Sequence, residues 1–307
     1  MTREEAKKLV KQMTLEEKAG LCSGKDFWRL KSVERLGIPE VMVCDGPNGL
    51  RKQSEKEGSN INDSIEAVCF PGSCAEAASF DRDTMFRAGA AMGNACQAEN
   101  ISILLGPGTN IKRSPICGRN FEYYSEDPYL TGRCAAADTL GVQSIDGQGT
   151  TIKHFAANNQ EDNRNYTNAH ISERALREIY LRGFEIAVKE AHPYSIMTSY
   201  NLINGIHSAN RHDMLQVAAR EEWGFDGFVM TDWYATQDTS IMGQAPDKYT
   251  WASAKQAIHA GNDMLMPGCA LNVEDLIQGA EEGTEMTLAD LQHCVKNILS
   301  IGLRTMK

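Results

Sequence analysis

Gly227-Phe228-Val229-Met230-Thr231-Asp232-Trp233 is a short apolar, β-branched run that follows Gly224-Phe225-Asp226 and stops abruptly at a carboxylate beside an indole. Such a run reads as a buried strand whose last residue emerges from the sheet. In parallel α/β barrels that edge is where chemistry is placed. A carboxylate there can attack or stabilise a cation, and an indole can stack on an apolar ligand face. Alone, the stretch is equally compatible with a strand capped by a solvated Asp, so the other strand ends decide.

Working outward, helical and strand-like segments alternate from end to end. Thr14-Leu15-Glu16-Glu17 has the pattern of a capping box opening a helix. Val41-Met42-Val43-Cys44-Asp45-Gly46 reads as a strand ending in an acid, residues 81–99 as a helix, and Ile101 to Pro107 as the next strand. Residues 106–128 form a Gly- and Asn-rich polar segment too long for an ordinary connection, which predicts a functional loop. Further strands are expected at Thr151–Phe155, Ser195–Tyr200 and Asp263–Pro267. Between the first two lies a helix capped by Ser172, with Leu176, Ile179, Tyr180, Phe184, Ala187 and Val188 on one face. Helical stretches at 273–282 and 288–304 close the chain.

Six strands are clear, and segments near 67–71 and 204–209 are weak candidates. The rhythm predicts an α/β fold, a (β/α)8 TIM-like barrel with irregular early strands, as a single domain over 1–307. A doubly wound sheet is the competitor, but no GxGxxG joins a strand to a helix, so nucleotide binding lacks local support.

Composition narrows the function. The chain has 307 residues, 42% of them apolar, and a net charge of −10 from 31 basic and 41 acidic residues. That balance argues against nucleic acid and against an anionic membrane surface as partners. No run approaches the roughly 18 apolar residues of a membrane span, and the charged N-terminus lacks the apolar region of an export signal. The nine cysteines are an odd number without a CxxC pair. They read as reduced thiols of a cytoplasmic protein, with no disulfide framework or zinc site.

If the strands form a barrel, polar residues converge on one mouth: Asp45, Lys153-His154, Tyr200-Asn201, Asp232-Trp233, and the loop after Gly106 carrying Arg113 and Arg119. Each has a plainer reading. Asp45 before Gly46-Pro47-Asn48-Gly49 can begin a turn. Lys153 and His154 alternate along a strand, so one of them can be a core residue. Tyr200 can be packing, and Arg119 a surface charge. Together, two carboxylates, several cations, a phenol and an indole suit a sugar, whose hydroxyls are gripped by charged groups and whose ring face is covered by Trp.

These residues carry a resemblance to the N-terminal barrel of family 3 glycoside hydrolases, the β-glucosidase/β-xylosidase group. The matching stretches are Met13–Lys18, Cys44–Arg51, Leu105–Arg113, Gly118–Glu122 with Ser125–Pro128, Lys153–Phe155, Met197–Asn201 and Thr231–Trp233, in order over nearly the whole chain. The resemblance implies a retaining hydrolase of terminal β-D-glycosidic bonds with Asp232 as nucleophile. Asp45, Arg51, Arg119, Lys153, His154 and Tyr200 would bind the non-reducing sugar of a small oligosaccharide or an aryl or alkyl β-glycoside, with Trp233 packed on it. Tyr200 would also steady the nucleophile, and no metal or organic cofactor is implied.

A retaining glycosidase needs a second carboxyl about 5–5.5 Å from the first, with a raised pKa. In two-domain members of the family this acid lies in a following α/β sandwich, which is expected to be absent here. Single-domain relatives acting on N-acetylglucosaminides carry a His-bearing loop instead, and Ala156-Ala157-Asn158-Asn159-Gln160 departs from that pattern. Glu122, Glu126 and Glu161 are weak substitutes. Three readings stand: a glycosidase barrel completed by an acid-bearing domain or chain, a barrel with a local acid, and a sugar-binding barrel without catalysis. Self-association, or docking of the missing domain over the mouth, is expected if apolar surface is left uncovered.

Overall fold

The computed structural model describes residues 2–56, 59–60, 62–244 and 248–302. Its central sheet contains β1 (Arg29–Leu30), β2 (Val41–Asp45), β3 (Ile103–Leu105), β4 (Gly149–Phe155), β6 (Ser195–Thr198) and β9 (Phe228–Thr231), in that spatial order. All neighbours from β2 to β9 run parallel, while β1 lies antiparallel on β2. Every residue of β3, β4, β6 and β9 is buried, as expected when helices cover one face and side chains fill the other. Successive residues of β9 point to opposite sides. Phe228 and Met230 join one apolar cluster, whereas Val229 joins another beneath the helices at 128–143 and 182–191.

The sheet closes on itself through single bridges. Met230 pairs with Met264, Leu265 pairs with Ser23, and Gly24 pairs with Leu30 of β1. Eight chain segments therefore ring the interior, the expected barrel with irregular early strands. The segment Asp263–Pro267 occupies a strand's place without a continuous ladder. Its neighbour at Ser23-Gly24 is short, Pro267 has no N–H to offer, and the N–H of Val229 is taken by the side chain of Asp263 at 2.7 Å.

Outside the barrel, β5 (Asn168–Ala169), β7 (Leu202–Ile203) and β8 (Ile206–His207) make a small sheet. The weak signal at 204–209 is the second arm of this hairpin. Asn204 and Gly205 at its turn have φ of 52° and 89°, a left-handed pair that matches strand twist. The other weak candidate, 67–71, is not a strand; its link to the fold includes a Phe70 N–H bond to the Asn48 carbonyl.

The capping box expected at Thr14 forms, with Thr14 and Glu17 satisfying each other's backbone N–H groups; Thr2 and Glu5, not anticipated from sequence, do the same one helix earlier. The helix after Ser172 is interrupted by a π turn at Leu176–Tyr180. The extra residue rotates the face, so Ile179, expected inside, is 40% exposed while Phe184, Ala187 and Val188 are buried.

Candidate active site

Parallel strands in register bring their carboxyl ends to one rim. Thr198 of β6 pairs with Thr231 of β9, and Phe155 of β4 pairs with Thr198, so Tyr200 and Asp232 leave the sheet side by side. Asp45, the last residue of β2, pairs with Leu105 at the same level. A cavity of about 240 Å³ opens there, and its lining includes Asp45, Arg51, Arg119, Lys153, His154, Tyr200, Asp232 and Trp233. All eight residues expected from sequence meet in it. Arg113, the other arginine of the long loop, is exposed elsewhere.

The alternation that should have sent Lys153 and His154 to opposite faces fails because β4 is irregular. Its register against β6 shifts between Ile152 and Phe155, and both side chains reach the cavity. Asn110 clasps this irregular backbone, accepting from the His154 N–H at 2.7 Å and donating to its carbonyl at 2.9 Å.

Lys153 Nζ lies 2.7 Å from Asp45 Oδ1 and 3.7 Å from Glu122 Oε2. Glu122 also pairs with Arg119. Asp45 thus sits among cations, with Arg51 at 3.9 Å. Burial pushes its carboxyl up, but Lys153, Arg119 and Arg51 together outweigh that and hold it below the usual range.

Asp232 differs. Its Oδ1 accepts the Trp233 N–H at 2.8 Å, its Oδ2 accepts no hydrogen bond, and His154 Nε2 stands 3.7 Å away. Burial raises its pKa above the ordinary value, and Arg119, Arg164, the Trp233 N–H and Lys153 offset this only in part. At this carboxylate desolvation, not the neighbouring cations, is the larger effect. Tyr200 lies alongside and interacts with the Asp232 side chain; burial first, and then the Asp232 charge, push its phenol well above the normal value.

Trp233 is fixed from behind. Its indole N–H donates to the Phe27 carbonyl at 2.8 Å, and its ring packs 5.7 Å from that of Trp28. Phe27 and Trp28 also line the cavity, from the turn that precedes β1. Sequence reasoning missed them because that segment carries no strand signal. It also missed Arg164, which lines the cavity with its guanidinium 4.5 Å over the Tyr200 ring. No strand ends near Arg164, so only the polar run Gln160–Asn165 hinted at it.

Besides Asp232 the lining carries one carboxylate, Asp45, which its cations hold below the usual range; Glu122, behind the lining, is 3% exposed and paired with Arg119 and Lys153. Glu161, just outside the lining, accepts from Arg164 and Asn158 at 2.8 and 3.0 Å. Glu126 is exposed and does not line the cavity.

Comparison with known proteins agrees with this geometry. The Glycosyl hydrolase family 3 N terminal domain matches residues 16–301. The chain belongs to that family. It is 57% identical over 296 residues to thermostable beta-glucosidase B of Acetivibrio thermocellus, covering 96% of this chain and 37% of that protein. It is 52% identical to an exo-alpha-(1->6)-L-arabinopyranosidase of Bifidobacterium longum, covering 86% of this chain and 35% of the relative. Among solved structures, beta-glucosidase 3B from Thermotoga neapolitana in complex with glucose superposes with a TM-score of 0.86 at 38% identity, covering 97% of this chain and 42% of that one. The family 3 barrel described here thus spans well under half the length of these relatives.

Proposed function

We propose that this family 3 domain hydrolyses terminal, non-reducing β-D-glucosidic bonds with retention of configuration, Asp232 attacking the anomeric carbon. The supporting observation is the buried carboxylate oxygen Asp232 Oδ2, which accepts no hydrogen bond, in a cavity otherwise lined by groups that grip hydroxyls. Asp45, Arg51, Arg119, Lys153 and His154 bind the sugar hydroxyls. Ionised Asp45 accepts from a hydroxyl pair, as charged acceptors do most strongly. Tyr200 flanks the nucleophile, and Trp233 covers the apolar sugar face. Attack breaks the bond to the aglycone, whose oxygen departs with a proton from the second carboxyl, and leaves a glycosyl ester on Asp232; water, giving a proton back to that carboxyl, later breaks the ester and releases the sugar.

The second carboxyl comes from outside this barrel, on a further domain of the protein or a separate chain. The engaged states of Asp45, Glu122 and Glu161 support that reading. Ile116 and Phe121, 88% and 60% exposed on the long loop, fit a surface that such a domain or a second copy covers. The nine cysteines, all free, fit a reducing cytoplasm. No helix among the described residues is long and apolar enough to cross a membrane.

Incubation with a 2-fluoro-glucosyl substrate bearing an activated leaving group tests the assignment. Such a group departs without protonation, so the acid is not required. Intact mass should rise by one sugar, mapping to Asp232, and Asp232→Asn should stay unlabelled. A folded protein that gains no mass sinks the proposal in favour of sugar binding alone. The 52% identity to the arabinopyranosidase supports a second specificity, which aryl α-L-arabinopyranoside and β-D-glucoside compared side by side would separate.

A further inference from the structure

Behind the cavity runs a chain of buried polar contacts whose direction can be read atom by atom. Arg164 Nη1 donates to Glu161 Oε2 at 2.8 Å, and Asn158 Nδ2 donates to Glu161 Oε1 at 3.0 Å. A carboxylate only accepts, so the amide of Asn158 is oriented with its NH2 toward Glu161. The same NH2 lies 3.4 Å from the Tyr123 hydroxyl, which must accept from it. Tyr123 is fully buried, and its hydroxyl also lies 3.0 Å from His154 Nδ1. With Asn158 presenting a donor, Nδ1 is the acceptor left for the phenolic proton. The single proton of a neutral imidazole then sits on Nε2, which faces Asp232 Oδ2 at 3.7 Å.

We infer that Tyr123, oriented through Asn158 and Glu161, is a positioning residue that holds His154 as the Nε2–H tautomer, so that His154 presents a hydrogen-bond donor to the sugar and the Asp232 side of the cavity. Burial, with Arg119, Lys153 and Arg164 nearby, keeps the His154 pKa well below its ordinary value, so the ring stays neutral. A wrong tautomer would turn a lone pair toward the carboxylate and deny a sugar hydroxyl its donor. Nothing in a strand-end reading of the sequence points to Tyr123, because it acts through a residue that itself touches the cavity.

The role of His154 toward a sugar rests on the proposed glycosidase reading, but the tautomer does not. Long-range proton–nitrogen NMR on protein with 15N-labelled histidine reads the tautomer directly, without substrate. The seven histidines are assigned by single replacements. His154 should show the Nε2–H pattern, unchanged from pH 5 to 8. In Tyr123→Phe, which keeps the ring but removes the proton, the resonances should move toward a tautomer mixture, and Asp232 labelling should slow about fivefold, the loss of one net hydrogen bond. Glu161→Gln, free to present either amide end, should move them in the same direction. An Nδ1–H pattern in the unaltered protein overturns the inference even if neither variant folds. Unchanged resonances in a folded Tyr123→Phe also overturn it. Labelling without the tautomer would leave the glycosidase reading intact; the tautomer without labelling would leave only the positioning.

Discussion

Asp45 and Asp232 stand at the ends of β2 and β9, with β3, β4 and β6 between them, and their surroundings set them apart across one cavity. Asp45 touches Lys153 and stays an acceptor, whereas Asp232 keeps an unpaired oxygen in a desolvated pocket. The proposed nucleophile has to be ionised to attack, and the Asp232 pKa is raised. Labelling by the 2-fluoro sugar should therefore fall as pH is lowered, with its inflection above the roughly pH 4 of an ordinary carboxylate. A rate profile at saturating reagent checks this, and a flat profile down to pH 4 would contradict it. At this scale the sequence was most legible. Asp45, Tyr200 and Asp232 each stand at the end of a recognisable apolar run, so the strand pattern delivered them to the mouth, whereas Lys153 lies within β4 and reaches it through the irregularity there. Arg164, Phe27, Trp28 and Tyr123 sit on irregular backbone, where no period exists to place them.

Between elements, the helices at Arg82–Ala98 and Pro128–Gln143 approach so closely that a Cβ on Gly141 would come 2.2 Å from the Phe86 carbonyl. Two buried acids that line no part of the site lie nearby, Asp138 on the second of these helices and Glu76 on the helix Ser73–Ala78. Asp138, 3% exposed, accepts from the Tyr124 hydroxyl, and Glu76 lies near it at 7% exposure. Burial raises Glu76 to about 7, and burial with the neighbouring Glu76 charge raises Asp138 to about 8. Both folded-state values lie above those of an unfolded chain, so the folded protein holds extra protons. Their stabilising contribution is complete at acid pH and is lost as pH rises through 7 to 8. Thermal melts should accordingly show a falling midpoint from pH 6 to 9. Asp138→Asn, which keeps a neutral group of the same shape, should flatten that decline; an equally steep decline in the variant would refute the assignment. Elements themselves were readable where caps and periodicity were clean, as at Thr14 and Ser172. They were not where an inserted residue reset the phase, at the π turn around Leu176–Tyr180 and in β4 between Ile152 and Phe155. A one-residue insertion leaves no compositional trace, so the wrong face was assigned to Ile179 and a split to Lys153 and His154.

For the molecule as a whole, the barrel was foreseeable from alternation, but its closure was not. β6 and β9 share a four-residue ladder, whereas the ring is shut by single pairs, Met230 with Met264 and Leu265 with Ser23. Stability follows ladder length and burial, so opening should begin at this join. Hydrogen exchange should find the amides of Gly24 and Leu265, which bond Leu265 and Cys22 carbonyls, less protected than those of β9. Equal protection would mean that the ring opens only as a unit.

The same join sets an order of events at the ribosome. Trp233 reaches its final place only when its indole bonds Phe27, about two hundred residues earlier, and when the Met266 N–H has bonded the Thr231 hydroxyl. A nascent chain released short of residue 267 would display most of the strands and all eight residues at the mouth, but not the wall against which the last of them is set. The pocket is thus complete only once residues 263–267 have been made, and a chain stopped before them lacks that wall.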